Sequence, residues 1–205
     1  MKTRQLMVLA SSLLGILMVD PAHAQGSASA PAQAGPPTLA KELVSPRMNT
    51  RLLVTSSAFQ SGGNLNDRYT QNGANVSPPI AWTKGPAGTQ SYVLLAEDAG
   101  VNRPEPVFHW VVYDIPSTMT ALFGNQPTDA TLSSGAMQGL NVRKAAGFLG
   151  PKPPAGQTHP YHFEVFALDT KLHLDPANAD RNAVVAAMKD HVLAGGDIVA
   201  NYTGK

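Results

Sequence analysis

Three segments of the chain combine β-branched and aromatic residues with turn residues at both ends, a pattern typical of strands. They are SYVLLAED at residues 91–98, VFHWVVYDI at residues 107–115 and YHFEVFALD at residues 161–169. An earlier apolar cluster, RLLVTSSAF at residues 51–59, predicts the first strand of the domain. The chain has no internal repeat, so we expect one domain that is all-β dominated.

A helix is predicted near the end of the chain, over residues 180–196. Four positions with helical spacing form an apolar stripe: Val184, Met188, His191 and Val192. Asp180 is placed to cap the first turn, and Gly195 or Gly196 to end the helix in the left-handed conformation. The stripe predicts that His191 is a core or interface residue.

The first 24 residues read as a secretory signal peptide. Lys2 and Arg4 form a positive start, residues 6–19 are apolar, and AHA at residues 22–24 is a cleavage signal. A retained membrane anchor is the alternative, but these 14 residues fall short of the roughly 20 that usually span a bilayer. We therefore predict a periplasmic or secreted protein cleaved after Ala24.

The stretch that follows, residues 25–47, is rich in Pro, Ala, Gly and Ser and has little apolar surface to offset the entropy of ordering it. It predicts a flexible leader. The packed domain is then expected to span residues 48–205.

Charge and cysteine content exclude several classes of protein. Loss of Lys2, Arg4 and Asp20 with the signal would reduce the basic residues from 15 to 13 and the acidic residues from 14 to 13. A neutral chain has no electrostatic attraction for nucleic acid or for anionic membranes, so neither is predicted as a partner. The absence of cysteine excludes disulfides and thiolate metal sites.

Common enzyme motifs are absent from the sequence. There is no G-x-S-x-G elbow, no phosphate-binding loop ending in G-K-S/T, no G-x-G-x-x-G and no H-E-x-x-H. Catalytic triads are defined by geometry rather than by motif, so this absence makes an enzyme less expected without excluding one.

Histidines are the candidate chemical groups. His159 and His162 are spaced like a ligand pair, but residues three apart on a strand face opposite sides, so a shared metal is not expected. His173 precedes a turn and is expected at the surface. His109 and His159 each lie beside a strand with aromatic neighbours, and two converging imidazoles would make a good anion site. Asp98 either faces His109, which follows it across a short connection, in a hairpin or caps a turn.

Four stretches of the chain closely resemble the phosphatidylethanolamine-binding protein family, also called Raf kinase inhibitor proteins. They cover residues 75–100, 106–116, 147–169 and 186–202, and their order and spacing are similar to the bacterial YbhB/YbcL-type branch. The resemblance implies a β-sandwich of two antiparallel sheets with a C-terminal helix. It also implies no metal or organic cofactor, and a small pocket for phosphate-like anions.

The family builds this pocket from a D-P-D-A-P loop, a histidine in H-W or H-F, a G-x-x-P-P loop and an H-R-Y segment. By resemblance, the ligand-binding residues of this chain are Asp98, His109, Gly150, Pro153, His159 and Tyr161. Gly150 would allow close approach of the backbone, and the prolines would keep an amide-lined rim stiff.

Two departures from the family motifs stand out. The chain has AEDAG at residues 96–100 in place of D-P-D-A-P, and His159-Pro160-Tyr161 in place of H-R-Y. Loss of an acid and a base in adjoining motifs suggests the loss of one ion pair, with Pro160 stiffening what the pair once held. An ion pair of Glu97 or Asp98 with another Arg or Lys at the same place would contradict this hypothesis.

The sequence thus predicts an exported binding protein for small anionic groups such as phosphate esters or phospholipid headgroups. The family name suggests that it modulates a partner enzyme, which the sequence does not identify. One alternative is a hydrolase of esters or phosphoesters that uses Asp98 with His109 or His159 as an acid/base pair. Another is an interaction protein with a vestigial pocket, such as a homodimer.

Overall fold

The computed structural model describes residues 35–205, which form nine strands, two α-helices and one short 3₁₀ helix. The strands are β1 (Val54–Thr55), β2 (Gly63–Asn64), β3 (Ile80–Trp82), β4 (Ser91–Asp98), β5 (Val107–Pro116), β6 (Ala121–Leu122), β7 (Met137–Gln138), β8 (Thr158–Leu168) and β9 (Val192–Thr203). The helices are α1 (Ala40–Leu43), α2 (Arg181–Met188) and the 3₁₀ helix Asp67–Tyr69.

Two sheets carry the fold, which confirms the predicted β-dominated class. The larger has the strand order β2-β9-β8-β4-β5-β7, and the smaller has the order β1-β3-β6. Pairing is antiparallel except between β2 and β9, which run parallel. The prediction of two purely antiparallel sheets therefore needs this one correction, since the short β2 joins the edge of the large sheet in the same direction as β9.

Three of the four long strands, β4, β5 and β8, lie where the sequence predicts them. β4 has the predicted bounds, β5 continues one residue further to Pro116, and β8 begins three residues earlier than predicted, at Thr158. Every residue of β4 is buried, because the smaller sheet covers one face of the large sheet and helices cover much of the other. One apolar cluster lies on each side of this strand.

The C-terminal helix is shorter than predicted and is followed by a strand. Asp180 caps α2 as expected, accepting hydrogen bonds from the amides of Asn182 and Ala183. The helix ends at Met188, and Asp190 has a φ of 65°, which redirects the chain into β9. His191 is consequently exposed and contacts Asp169 instead of entering the core.

The two glycines predicted to end the helix belong to β9 instead. A Cβ at Gly196 would lie 2.0 Å from the carbonyl oxygen of Leu52, so this glycine lets the segment before β1 pass close against the strand. The two adjacent glycines interrupt the alternation of apolar residues along β9. The prediction therefore followed the helical spacing of the stripe that ends at Val192, the first residue of β9.

Part of the predicted flexible leader packs onto the domain. Leu39, Ala40 and Val44 are buried, and the amide of Ala40 donates to Glu97 Oε2 at 2.9 Å. Residues 37–48, here called the N-terminal segment, cover the outer face of the large sheet, so the predicted start of the domain at Met48 is too late. The predicted signal peptide, residues 1–24, lies outside the described residues.

Within residues 35–205, no helix is both long enough and apolar enough to cross a membrane.

Candidate functional site

A cavity of about 300 Å³ opens at one end of the large sheet, where β4 ends and where β5 and β8 begin. Its polar and charged lining residues are Gln71, Asp98, His109, Arg143, Lys152 and His159. Its apolar lining residues are Val101, Val107, Val142, Leu149, Pro153 and Pro154. We call this cavity the end pocket.

Antiparallel pairing brings Asp98 and His159 together in the end pocket. β4 pairs with β8 so that Asp98 lies opposite Tyr161, two residues from His159. The Nδ1 of His159 lies 2.9 and 3.0 Å from the two carboxylate oxygens of Asp98. A carboxylate only accepts, so Nδ1 is the protonated donor and Asp98 orients the ring. The hydrogen-bond partner of Asp98 is thus His159 on β8 and not His109, the histidine that the hairpin pattern predicts. The alternative of a turn cap holds in part, because Oδ1 of Asp98 also accepts from the Gly100 amide at 2.8 Å.

Packing against His159 explains why the last residue of AEDAG, Gly100, is a glycine. A Cβ at this position would lie 2.4 Å from Cγ and 2.7 Å from Cβ of His159. Any larger residue would push the imidazole away from Asp98. The departure from the family motif at this position is therefore matched to the packing of His159.

His109 reaches the end pocket through an irregularity in the pairing of β4 with β5. The register shifts between Ala96 and Glu97, which leaves His109 without a direct partner on β4. Its Nδ1 lies 2.6 Å from the carbonyl oxygen of Leu149, so Nδ1 carries the hydrogen and donates it. Its Nε2 is buried and has no partner among the described residues.

Burial lowers the pKa of His109, because an imidazolium loses its hydration in this position. The hydrogen bond to Leu149 and the charge of Asp98 oppose this effect, while Arg143 and His159 add to it. His109 is thus a neutral imidazole in the free protein near pH 7. The sequence interpretation, in which either histidine charges readily, needs this correction for His109.

Tyr161 supports the two histidines from beneath without lining the end pocket. Its ring centre lies 5.3 Å from that of His109, edge to face, and 6.5 Å from that of His159, nearly parallel. The hydroxyl is buried without a hydrogen-bond partner in the described part of the chain. Burial, followed by the charge of Asp98, raises the pKa of Tyr161, so the phenol stays neutral.

The proline loop differs from the predicted amide-lined rim. Gly150 donates its amide to Asn75 Oδ1 at 2.7 Å, and its carbonyl accepts from Gln71 Nε2 at 2.7 Å. A Cβ there would lie 2.7 Å from the Thr70 Cα, so the glycine is required by packing behind the pocket. Gly150 therefore has no amide free for a ligand. Pro153 does line the pocket, as predicted, and contributes a stiff apolar wall.

Two cations in the end pocket were missed by the sequence interpretation. Arg143 comes from the loop after β7 and donates to the side chain of Gln71, and Lys152 comes from the proline loop itself. Both side chains belong to exposed residues. Lys152 was visible within GPKPP, but Arg143 has no local signal, because only the fold brings its loop to the pocket.

The proposed compensation between a lost acid and a lost base stays a prediction, because the ion pair that the structure contains lies elsewhere. Glu97 forms a buried ion pair with Arg181, at 2.6 Å between Oε1 and Nε. Arg181 also donates to the carbonyl oxygen of Thr38 in the N-terminal segment. Glu97 thus has its partner on the opposite face of the sheet from the end pocket, away from Asp98 and Pro160.

The remaining histidines lie outside the end pocket. His162 faces away from His159, as the strand pattern predicts, and its Nδ1 lies 3.2 Å from Asp197 Oδ2. His173 is exposed, also as predicted. In the part of the chain that the structure describes, no group of three His, Asp or Glu side chains is arranged to hold a metal ion.

Comparison with known proteins agrees with this geometry. The sequence model of one family, described as phosphatidylethanolamine-binding protein, matches residues 55–203, which include every residue of the end pocket. The chain belongs to this family.

Individual relatives give the same result. A UPF0098 protein of Methanothermobacter thermautotrophicus is 38% identical over 146 residues, covering 71% of this chain and 94% of that relative. The UPF0098 protein YbcL of Escherichia coli is 32% identical over 161 residues, covering 73% and 86%.

Solved structures show the same fold in other bacterial members of the phosphatidylethanolamine-binding protein family. The crystal structure of Escherichia coli YbcL matches with a TM-score of 0.70 and 30% identity, covering 76% of this chain and all of that one. The Chlamydia trachomatis homolog CT736 matches with a TM-score of 0.67 and 28% identity, covering 76% and 99%. The resemblance to the YbcL-type branch is thereby confirmed. The names of these relatives state no enzymatic activity.

Proposed function

We propose that this family member is an exported binding protein whose end pocket takes phosphate-like anions, either phosphate esters or phospholipid headgroups. The observation that carries the proposal is the convergence of two cations, Arg143 and Lys152, on one small cavity that His109 and His159 also line. Oxyanions are recognised by cationic and N–H groups held in fixed positions. Asp98 is already bonded to His159 and to the Gly100 amide, so its charge is partly compensated.

The walls of the pocket suit a small ligand. Pro153 and Pro154 hold one wall stiff, and Val101, Val107 and Val142 provide apolar contacts. A rigid site loses little conformational entropy when the anion binds. A cavity of about 300 Å³ fits a headgroup or a small ester, while the acyl chains of a lipid would have to lie elsewhere.

Titration calorimetry with inorganic phosphate and with phosphoethanolamine tests the proposal. Lys152→Gln is expected to weaken both about five- to tenfold, because one charge-assisted contact is lost. Lys84→Gln, a change at an exposed lysine outside the end pocket, is the matched control and should leave both affinities unchanged. Binding should also weaken at high salt. Absence of binding, or equal effects of the two substitutions, would contradict the proposal.

A hydrolase is the second candidate, and one observation favours it. Asp98 orients His159 in the way that a carboxylate orients the imidazole of a catalytic triad. The residues that line the end pocket in the described chain include no Ser, Thr or Cys, so water would have to be the nucleophile. Turnover of generic ester and phosphoester substrates that disappears in His159→Ala would favour this function over binding alone.

Export is proposed from the signal sequence alone. Amino-terminal sequencing of the protein recovered from the periplasm or the medium should begin at Gln25. A mature protein that retains Met1 would contradict cleavage. Modulation of a partner enzyme and formation of a homodimer stay predictions, which pull-down and sedimentation experiments on the mature chain would test.

A further inference from the structure

His109 presents the end pocket with a hydrogen-bond acceptor rather than a donor. Its Nδ1 hydrogen is committed to the Leu149 carbonyl at 2.6 Å. Its Nε2 is buried and unpartnered among the described residues, and the residue lines the pocket. In a neutral imidazole with Nδ1 protonated, Nε2 holds only a lone pair. Nε2 of His109 is therefore a hydrogen-bond acceptor without a donor among the described residues.

The surroundings keep this ring in the neutral form. The charged and titratable groups around His109 are Asp98 on β4, His159 and Tyr161 on β8, Arg143 on the loop after β7, and Lys152 on the proline loop. Arg143 and His159 oppose a positive charge on His109, Asp98 favours it, and burial, the largest effect, disfavours it. The cations of the end pocket, Arg143 and Lys152, therefore belong to exposed residues, whereas the lone pair of His109 is on a buried atom.

A bare oxygen anion placed against that lone pair would repel it and leave the acceptor unsatisfied. We infer that the end pocket selects oxyanions that carry a proton, namely the mono- or dianion of inorganic phosphate or the monoanion of a phosphate monoester, whose P–OH donates to Nε2 of His109. The charged oxygens of the same ligand then face the cations Arg143 and Lys152. This inference rests on the proposed function and specifies the ligand class of that site.

The inference distinguishes ligands that share size and shape. Sulfate has the tetrahedral shape of phosphate but holds no proton near neutral pH, and a phosphodiester has no acidic P–OH. Sites built around buried hydrogen bonds reject analogues that lack the matching donor, because the buried group is left unpaired. The pocket should therefore favour monoesters over the diester headgroup of an intact phospholipid.

Titration calorimetry on the wild-type mature chain tests this directly with two matched pairs, phosphate against sulfate and methyl phosphate against dimethyl phosphate. At pH 6 we expect the first of each pair to bind at least about tenfold more tightly, the scale of one unmade buried hydrogen bond. Monoesters lose their second proton with a pKa of about 6, so their affinity should fall as the pH rises beyond this value, about tenfold per unit. Sulfate should stay weak throughout.

Two variants separate the effect of the hydrogen-bond acceptor on His109 from the effect of the positive charge on Lys152. His109→Gln replaces the fixed acceptor by an amide that also offers N–H donors, so the preference for phosphate over sulfate should fall to within about threefold. Lys152→Gln is the control: it removes a charge that both anions feel, so both should weaken while their ratio is kept. Circular dichroism shows whether each variant is folded, and the wild-type pairs decide the question if His109→Gln is not.

Sulfate that binds as tightly as phosphate, with an affinity that falls as the pH rises, would overturn the inference, because His109 would then be acting as an imidazolium donor. Equal binding of methyl phosphate and dimethyl phosphate would overturn it too. If neither member of any pair binds, the proposed function itself fails. Phosphate binding with no preference refutes only the inference.

Discussion

Glu97 and Asp98 are neighbours at the end of β4, yet their carboxylates have different surroundings. Glu97 points to the outer face of the large sheet, where it is 0% exposed and bonded to Arg181 and to the Ala40 amide. Asp98 points to the other face, where it holds His159 at the end pocket. Alternation along a strand sends adjacent side chains to opposite faces, so one sequence motif serves two regions.

The difference between the two regions lies in what covers them. The N-terminal segment and α2 close over Glu97, and Arg181, the first residue of α2, fills the space with a guanidinium. Loops and the first residues of β5 and β8 surround Asp98, and they leave a cavity whose lining includes the cations Arg143 and Lys152. A carboxylate that is sealed with its counter-ion stabilises the fold, while one that faces a cavity orients another side chain for a ligand.

Removal of the sealed guanidinium should have the largest effect. Arg181→Met leaves Glu97 buried without a counter-ion, and breaking a buried pair on one side costs about 3–5 kcal/mol. Urea denaturation monitored by circular dichroism should show this loss in the free energy of unfolding. Phosphate binding by the fraction that remains folded should be nearly unchanged, because the pair lies on the opposite face.

Two further variants sharpen this result. Arg51→Met removes an arginine whose side chain is 77% exposed and which lies 3.5 Å from Asp197, so its cost should not exceed about 1 kcal/mol. The double variant Glu97→Gln with Arg181→Met should be less destabilised than Arg181→Met alone, because no unpaired charge remains. Equal losses for Arg181→Met and Arg51→Met would contradict the division between the two faces.

Crowding of His159, the partner of the ligand-facing carboxylate of Asp98, should destabilise the protein by less than Arg181→Met does. The Cβ introduced by Gly100→Ala would lie 2.4 Å from the His159 ring, so the imidazole must move from Asp98. Overpacking of this kind costs about 1–3 kcal/mol, and the displaced ring should weaken phosphate binding as well. Titration calorimetry and urea denaturation measure the two effects separately.

Gly195→Ala is the matched control for this substitution. Its new Cβ would meet the Phe166 ring no closer than 3.3 Å, on the other side of the sheet, so it should cost less than about 1 kcal/mol and leave phosphate binding intact. If Gly100→Ala binds phosphate as tightly as the wild type, the position of His159 does not matter for the ligand.

The sequence predicts those features of the fold that local patterns determine. Apolar and aromatic runs located β4, β5 and most of β8, because a strand buried on both faces is distinct in composition from the turns around it. The predicted helix was too long, because the strand after α2 contains two glycines and begins only four residues beyond Met188, at Val192. Local spacing alone does not reveal where such a helix gives way to a strand.

The site was predictable only in part, for the same reason. Asp98, His109 and His159 lie on or beside long strands, and the resemblance to the family identified them. Arg143 lies on an irregular loop that reaches the end pocket only in the folded chain, and Arg181 pairs with a residue 84 positions away in sequence. Glu97 and Asp98 are adjacent in the sequence, but their carboxylates lie on opposite faces of the sheet, which the motif alone does not show.

Glu164 provides the mildest test of the contrast between the two faces. It lies on the sealed face with Glu97 and accepts from the Lys41 amide at 3.1 Å, but no arginine reaches it among the described residues, and its Oε1 is buried and unpartnered. Burial, followed by the charge of Glu97, raises the pKa of Glu164 well above its usual 4.5. The unfolded chain therefore ionises first, and stability falls as the pH rises from about 4.5 toward the raised value.

Glu164→Gln removes this penalty while keeping an oxygen for the Lys41 amide. Near pH 4 the variant and the wild type should unfold at similar temperatures, since both are uncharged at this position. As the pH rises the variant should become the more stable of the two, by less than the losses expected for Arg181→Met. Glu105→Gln, a change at an exposed glutamate, should show no such divergence. A difference in melting temperature that is constant across the pH range would mean that Glu164 is already ionised in the folded protein, and that the sealed face tolerates a carboxylate without a counter-ion.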